Sequence, residues 1–438
     1  MTLRPDALVD LSIEKPAAGG RMLARHNGQV VLVWGAIPGE RVRARIERVG
    51  KGVAYANTID VVDPSSDRRS APGDWRCGGN VLAHIAYSRQ PALKADIIKD
   101  AFARIARVPL PQAPEVIASP EHGYRMRARL HANGHRLGFF REGTHALCDA
   151  GPTGQLLPST IAWLATVEAT LRDRKLTTLG ALEIAENIGG DRRACHLELH
   201  AGAPASDFAR LGEGLAGISA RAADQASVTI LVGTPTVGDV IRLGDGHAPV
   251  SVKLTRDVRA FFQGNRFLIE RLVAHVVDQI ESGTVVDLYA GVGLFGLSAA
   301  AVGAGTVTLV EGDQVSGADL QRNAAPFGDR VRVERRSVEG FLDAAARRAR
   351  TADGVHPATA IVDPPRTGMS KEAVGGLIGL SPRRIVYVSC DVATLARDAR
   401  TLIDAGYELA SLTGFDLFPN TAHVESVAVF QANGGLRS

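Results

Sequence analysis

Four apolar, β-prone runs in the last third of the chain each end in residues that can do chemistry. "TVVDLYA" leads into Gly291, Gly293 and Gly296, which fit G-x-G-x-x-G and let backbone approach a nucleotide-like ligand closely. "TVTLVEGD" carries Glu311 about 20 residues further on, where a carboxylate can hold ribose hydroxyls. "ATAIVDPP" presents Asp363 ahead of two prolines, whose fixed φ and missing donors make a rigid, extended lip. "RRIVYVSCD" ends at Cys390. A thiolate is a soft nucleophile, and uracil offers it an electron-poor carbon 6 for conjugate addition. Carbon 5 then becomes able to attack a sulfonium methyl, and its own proton must leave before the thiol is expelled. Glu425, inside the apolar run "HVESVAVF", would be partly desolvated, with its pKa raised toward the range useful for that base. A glutamate facing water from an edge strand reads equally well from this run, and His423 is a second candidate base.

The elements that must position these residues alternate between apolar strands and helical stretches such as "KEAVGGLIGL" and "TLARDARTLIDAG". This rhythm predicts a parallel sheet covered on both faces, with ligands at the carboxyl ends of its strands. "RFLIERLVAHVVDQI" has helical spacing, with Asn265 as its N-cap. The expected catalytic domain spans residues 251–438. Residues 65–250 are mixed and form a central α+β domain. In "YRMRARLHANGHRLGFFREG", Arg125, Arg127 and Arg129 alternate with apolar residues, so a strand would array three guanidiniums on one side. Five arginines against one acid in this segment make phosphate contact as good a reading as a solvated face. Residues 1–64 alternate apolar and basic residues in "ERVRARIERV" between glycines, which predicts a small OB-like β-barrel.

The net charge of +3 permits a polyanionic partner without demanding one. The N-terminus lacks the apolar core of a signal peptide. Leu288–Val310 carries no charge and is long enough to span a bilayer, but its glycines and the bracketing Asp287 and Glu311 favour strand, turn, helix, strand. A cytoplasmic, monomeric protein without a membrane segment is expected. Four cysteines in 438 residues are too few and too scattered for a disulfide framework.

On these motifs the chain resembles the S-adenosylmethionine-dependent RNA 5-methyluridine methyltransferases that act on ribosomal or transfer RNA. The resemblance implies a Rossmann-like class I methyltransferase domain behind an RNA-binding TRAM barrel. "FFQGNRFLIERL" is similar to the family's F-x-Q-x-N stretch and implies Gln263 at the cofactor. "DLYAGVGLFG" implies Tyr289 and Leu294 there, with Glu311 and Asp363 as further cofactor contacts. "VSCDVATLARD" and "FPNTAHVESVAVF" imply Cys390 as nucleophile and Glu425 as base. Because a structured uridine must be flipped out to reach Cys390, the barrel and Arg125, Arg127 and Arg129 are expected to hold the surrounding RNA.

The chain also departs from the family. Some members hold a four-iron cluster on four cysteines, but "APGDWRCGGN" keeps Cys77 and has Ala71 and Asn80 at the outer positions, with Cys148 as the match to the fourth. Two thiolates do not hold a cluster that needs about four, so none is expected. Where members often have Asn-Pro after the nucleophile, this chain has Asp391 and Val392, and a charge beside the thiol would raise its pKa. A nicotinamide-dependent oxidoreductase and a non-catalytic RNA-binding scaffold are the rival readings. Neither gives a reason for Asp-Pro-Pro, Cys390 and Glu425 together.

Overall fold

The computed structural model of the chain describes residues 3–244, 250–349 and 356–433. Strands β1 (Leu8–Pro16), β2 (Met22–His26), β3 (Gln29–Trp34), β4 (Arg41–Val49) and β5 (Val53–Asp63) close into a barrel in the order β1-β2-β3-β5-β4. The alternation in β4 buries Val42, Ala44 and Ile46 while Arg41, Arg43 and Arg45 face water, as a strand with one core face requires. Helix α1 (Gln90–Ala101) and the short strand β6 (Val116–Ile117) follow.

A seven-stranded sheet comes next, built from β7 (Arg127–Asn133), β8 (Arg136–Phe140), β9 (Leu147–Cys148), β10 (Leu179–Glu186), β11 (Arg193–Leu199), β12 (Gly217–Ala222) and β13 (Thr229–Gly233). Its order is β13-β12-β11-β10-β7-β8-β9, and helix α2 (Pro158–Asp173) packs on it through Leu164, Val167 and Leu171. Pairing of Phe139 with Cys148 and a bridge between Cys77 and Arg141 bring two of the four cysteines together. Cys77 and Cys148 form a disulfide across 71 residues, a pairing that the scattered spacing had hidden. Asn80 is buried and donates to the carbonyls of Pro72 and Asp74.

The hairpin of β14 (Thr236–Leu243) and β15 (Val250–Asp257) packs against the catalytic core, followed by α3 (Ile269–Val277), whose Ile269, Leu272, Val273 and Val276 fall on one helical face. Asn265 caps the turn ahead of α3, its Oδ1 accepting from the N–H groups of Phe267 and Leu268. The last sheet alternates with helices as β16 (Val285–Leu288), α4 (Leu294–Ala301), β17 (Val307–Val310), α5 (Gln314–Ala324), β18 (Val331–Glu334), α6 (Val338–Ala349), β19 (Thr359–Val362), α7 (Lys371–Leu380), β20 (Arg384–Ser389), α8 (Val392–Asp404), β21 (Tyr407–Phe415) and β22 (Glu425–Ala432).

Its order is β18-β17-β16-β19-β20-β22-β21-β6. The sheet is mixed rather than wholly parallel. A hairpin can pair β21 with β22 only in opposite directions, so β22 runs against its neighbours. Helices α3, α4 and α5 cover one face, and α1, α6, α7 and α8 the other. Residues between 65 and 250 thus serve two sheets, since β6 and α1 belong to the catalytic layer. The uncharged stretch Leu288–Val310 is strand end, turn, α4 and β17, and no helix among the described residues is long and apolar enough to cross a membrane.

Candidate active site

Strand register decides which side chains meet. Ser389 pairs with Ser426 in the antiparallel ladder of β20 and β22, so the next positions outward, Cys390 and Glu425, stand opposite one another. Opposed residues in such a ladder hold their Cβ atoms about 5 Å apart on the same face. Val362 pairs with Tyr387 on the parallel side, which brings Asp363 to the same edge. Glu425 is buried at 2 % exposure on a strand flanked by β20 and β21, so the water-facing edge reading does not hold.

Burial pushes the Glu425 carboxyl well above its ordinary range, and the charge of Asp363 pushes the same way. Its Oε1 has no hydrogen-bond partner. Asp363 is pushed up to about 7 by burial, against a 3.2 Å hydrogen bond from Gln263 Nε2. Both carboxyls are desolvated, and a charge on Asp363 disfavours ionisation of Glu425. Burial and then the Glu425 charge push the Cys390 thiol up to about 12, while the guanidinium of Arg366 pulls it back. Arg366 also lowers Glu425, which makes it the cation common to both side chains. Sequence reasoning passed over Arg366, although it follows directly in "DPPR". Asp391 was expected to act on the thiol, but its carboxylate turns to the start of α8 and accepts from Ala393 and Thr394. The charges that act on Cys390 are those of Glu425, Arg366 and Asp363. Burial first, then Arg366 and Lys94, hold the His423 imidazole down at about 4.

The glycine loop lies beside this edge. Gly291 (φ +57°) would meet nothing within 4 Å if it carried a Cβ, which leaves open space above it. Glu311 accepts from Gly291 N–H (2.7 Å) and Asp313 N–H (2.6 Å), so its position is fixed, and burial raises its pKa. Asp287, fully buried under the loop, accepts from Gly296 N–H at 2.8 Å. A Cβ on Gly296 would come within 2.2 Å of Leu309, so only glycine lets α4 close on β17. Tyr289 has φ +64°, a conformation costly for an aromatic residue, and lines a cavity of about 780 Å³ with Glu339, Met369 and Lys371. Leu294 packs into the core as the first residue of α4.

Arg127 and Arg129 alternate with apolar residues on β7 while Arg125 lies just ahead of the strand, and all three are engaged within the molecule. Arg129 binds Glu198 at 2.5 Å and Glu183 at 3.1 Å, and Arg127 lies 3.6 Å from Glu183. Arg125 donates to Gln155 Oε1 and to the carbonyl of Arg127. The missing acids lie on β10 and β11, outside the segment where they were counted. An array of three free guanidiniums is therefore not present.

The profile of the tRNA (Uracil-5-)-methyltransferase family matches residues 230–433, and that of the TRAM domain matches residues 8–59. The 23S rRNA (uracil(1939)-C(5))-methyltransferase RlmD of Pseudomonas putida is 33% identical, over 96% of this chain and 93% of its own. The chain belongs to the RNA uracil-C5 methyltransferase family. An uncharacterized RNA methyltransferase of Streptomyces coelicolor is 31% identical over 96% of this chain and 92% of its own. Among solved structures, the Pyrococcus abyssi tRNA (uracil-54, C5)-methyltransferase in complex with S-adenosyl-L-homocysteine superposes with a TM-score of 0.74 at 22% identity. It covers 96% of this chain and 99% of its own, and it supports the arrangement of barrel, central sheet and catalytic sheet. Membership sets the oxidoreductase reading aside.

Proposed function

We propose that this methyltransferase moves a methyl group from S-adenosylmethionine to carbon 5 of a uridine in RNA, through a covalent bond between Cys390 and carbon 6. The carrying observation is the opposition of Cys390 and Glu425 across β20 and β22, with Arg366 acting on both. Ribosomal RNA is the favoured substrate, since the 33% identical Pseudomonas putida relative is named for it.

The residues fit the cofactor. Open space over Gly291, the fixed Glu311 carboxylate and the Gln263–Asp363 pair offer a nucleoside room, a ribose acceptor and polar anchors. Tyr289 is assigned to the same cofactor, whereas Leu294 would act only by packing the loop. When bound, the cofactor supplies an electrophilic methyl on a positively charged sulfur. Cys390 loses its proton to solvent, with Arg366 offsetting the charge, and its sulfur forms a bond to carbon 6. The electron pair so displaced makes carbon 5 the nucleophile that accepts the methyl, whose bond to the sulfonium sulfur breaks with its electron pair staying on that sulfur. Glu425, in its ionised form, then takes the remaining proton from carbon 5. The carbon 5–carbon 6 double bond re-forms, and Cys390 leaves as thiolate. Burial suits Glu425 to this step, because a raised pKa makes it a stronger base when ionised.

RNA in which the target uridine is 5-fluorouridine tests the sequence of steps, since fluorine on carbon 5 cannot leave as a proton. The expected outcome is a denaturation-stable complex between wild-type protein and RNA that requires the cofactor and is lost in Cys390→Ala. A complex that survives Cys390→Ala would sink the assignment.

A further inference from the structure

A second cleft stands apart from the chemistry described above. It encloses about 250 Å³ between the barrel and the loop at residues 74–80, and its walls include Trp34 of β3 and Trp75 of the loop. Two of the three tryptophans in the chain meet in it, both partly exposed. Each indole has a guanidinium over its ring, Arg21 at 4.8 Å from the Trp34 centroid and Arg76 at 5.1 Å from that of Trp75.

Charge in the cleft is nearly balanced. Arg21 pairs with Glu47 at 2.9 Å, and Glu142 joins the same wall as Arg76. A phosphate site would keep its cations free of acids. Flat π-surfaces, balanced charge and the nearby amide of Asn57 suit the face and edge of a heterocyclic base instead.

The loop carrying Trp75 is fastened on several sides. The Cys77–Cys148 disulfide ties it to β9, Gly78 N–H donates to Phe140 O at 2.9 Å, and Glu142 N–H donates to Arg76 O at 2.8 Å. Arg141 adds a bond to Asp74 at 2.5 Å. A surface held this way loses little freedom on binding. The cleft also adjoins the loop that leads into Glu425. Leu82, next to the lining residue Val81, donates to Asn420 O at 2.8 Å, and a Cβ on Gly20 would sit 3.4 Å from that of Ala422.

We propose that this cleft is a nucleobase subsite that stacks one unpaired base of the RNA flanking the target uridine. The inference rests on the RNA-methyltransferase reading above, and the disulfide serves it by holding Trp75 in place. Two fluorescein-labelled probes of about twelve nucleotides test it by anisotropy, a single-stranded RNA of mixed sequence and a fully abasic strand of the same length. Wild-type protein is expected to bind the base-bearing strand more tightly than the abasic one. Trp75→Ala is expected to weaken the base-bearing strand roughly tenfold and leave the abasic strand unchanged, with Trp75→Phe retaining most of the affinity. Arg76→Ala, a change at an exposed side chain, gives an independent reading with an expected loss of about threefold on the same strand. Equal weakening of both strands would assign the cleft to phosphate and overturn the proposal, as would no weakening or no preference for bases in wild type. Absence of the 5-fluorouridine adduct would defeat the catalytic reading alone, because this comparison does not involve Cys390.

Discussion

Cys390, the proposed nucleophile, is held against its own ionisation. Burial and the charge of Glu425 favour the thiol, and Arg366 works against both. Removing that guanidinium should therefore raise the thiol pKa further. Arg366→Ala is expected to slow adduct formation with 5-fluorouridine RNA by about tenfold for each unit of that rise, at saturating RNA and fixed pH. The rising limb of the pH–rate profile should move to higher pH, and Arg366→Lys should recover part of the rate. Stopped mixing across a pH series measures this directly. An unchanged limb with weaker RNA binding would make Arg366 a phosphate contact instead. The "DV" after the cysteine loses its significance here, since Asp391 spends its acceptor capacity on the start of α8.

Helix α1 explains how a glutamate at the end of a hairpin is held still. Lys94 and Asp416 form a fully buried pair at 2.5 Å, Lys94 also reaches Phe418 O at 3.0 Å, and Gln90 exchanges two 2.8 Å hydrogen bonds with Asn420. Together these groups pin the turn that leads into Glu425. Removing one partner of a buried pair strands the other charge at a cost of about 3–5 kcal/mol, whereas replacing both with apolar residues recovers much of it. Lys94→Met is thus expected to lower the unfolding midpoint sharply and slow adduct formation, and Lys94→Met with Asp416→Leu should regain stability, as read by denaturant titration. Equal stability of the single and double variants would contradict this coupling. Residues at strand ends were legible in the sequence because an apolar run that stops at a polar residue marks both the strand and its rim. Contacts such as Lys94 with Asp416, 322 positions apart, leave no local trace. For the same reason the acids that pair with Arg127 and Arg129 left no trace in their own segment, since Glu183 and Glu198 lie on β10 and β11.

The rim of the catalytic sheet carries a cost in stability that depends on pH. Asp363 rises from 3.8 to about 7 on folding, and Glu425 and Asp287 rise as well, all chiefly through burial. For such groups the folded state binds more protons than the unfolded state above about pH 4. Their stabilising contribution is then complete below the unfolded pKa and is lost as pH rises through the folded one. For Asp363 alone the loss has an upper bound of about 4 kcal/mol, at roughly 1.4 kcal/mol per pKa unit. Asp363→Asn combined with Glu425→Gln removes both titrations while keeping shape and hydrogen-bonding capacity. Thermal unfolding of the cofactor-free protein should then show the double variant more stable than wild type near pH 8, with the gap closing toward pH 4. A gap independent of pH would mean that the two carboxyls already share their ordinary pKa values in the folded chain. The opposite sign would mean that Arg366 holds them ionised, and Glu425 would then be a weaker base for the step proposed for it.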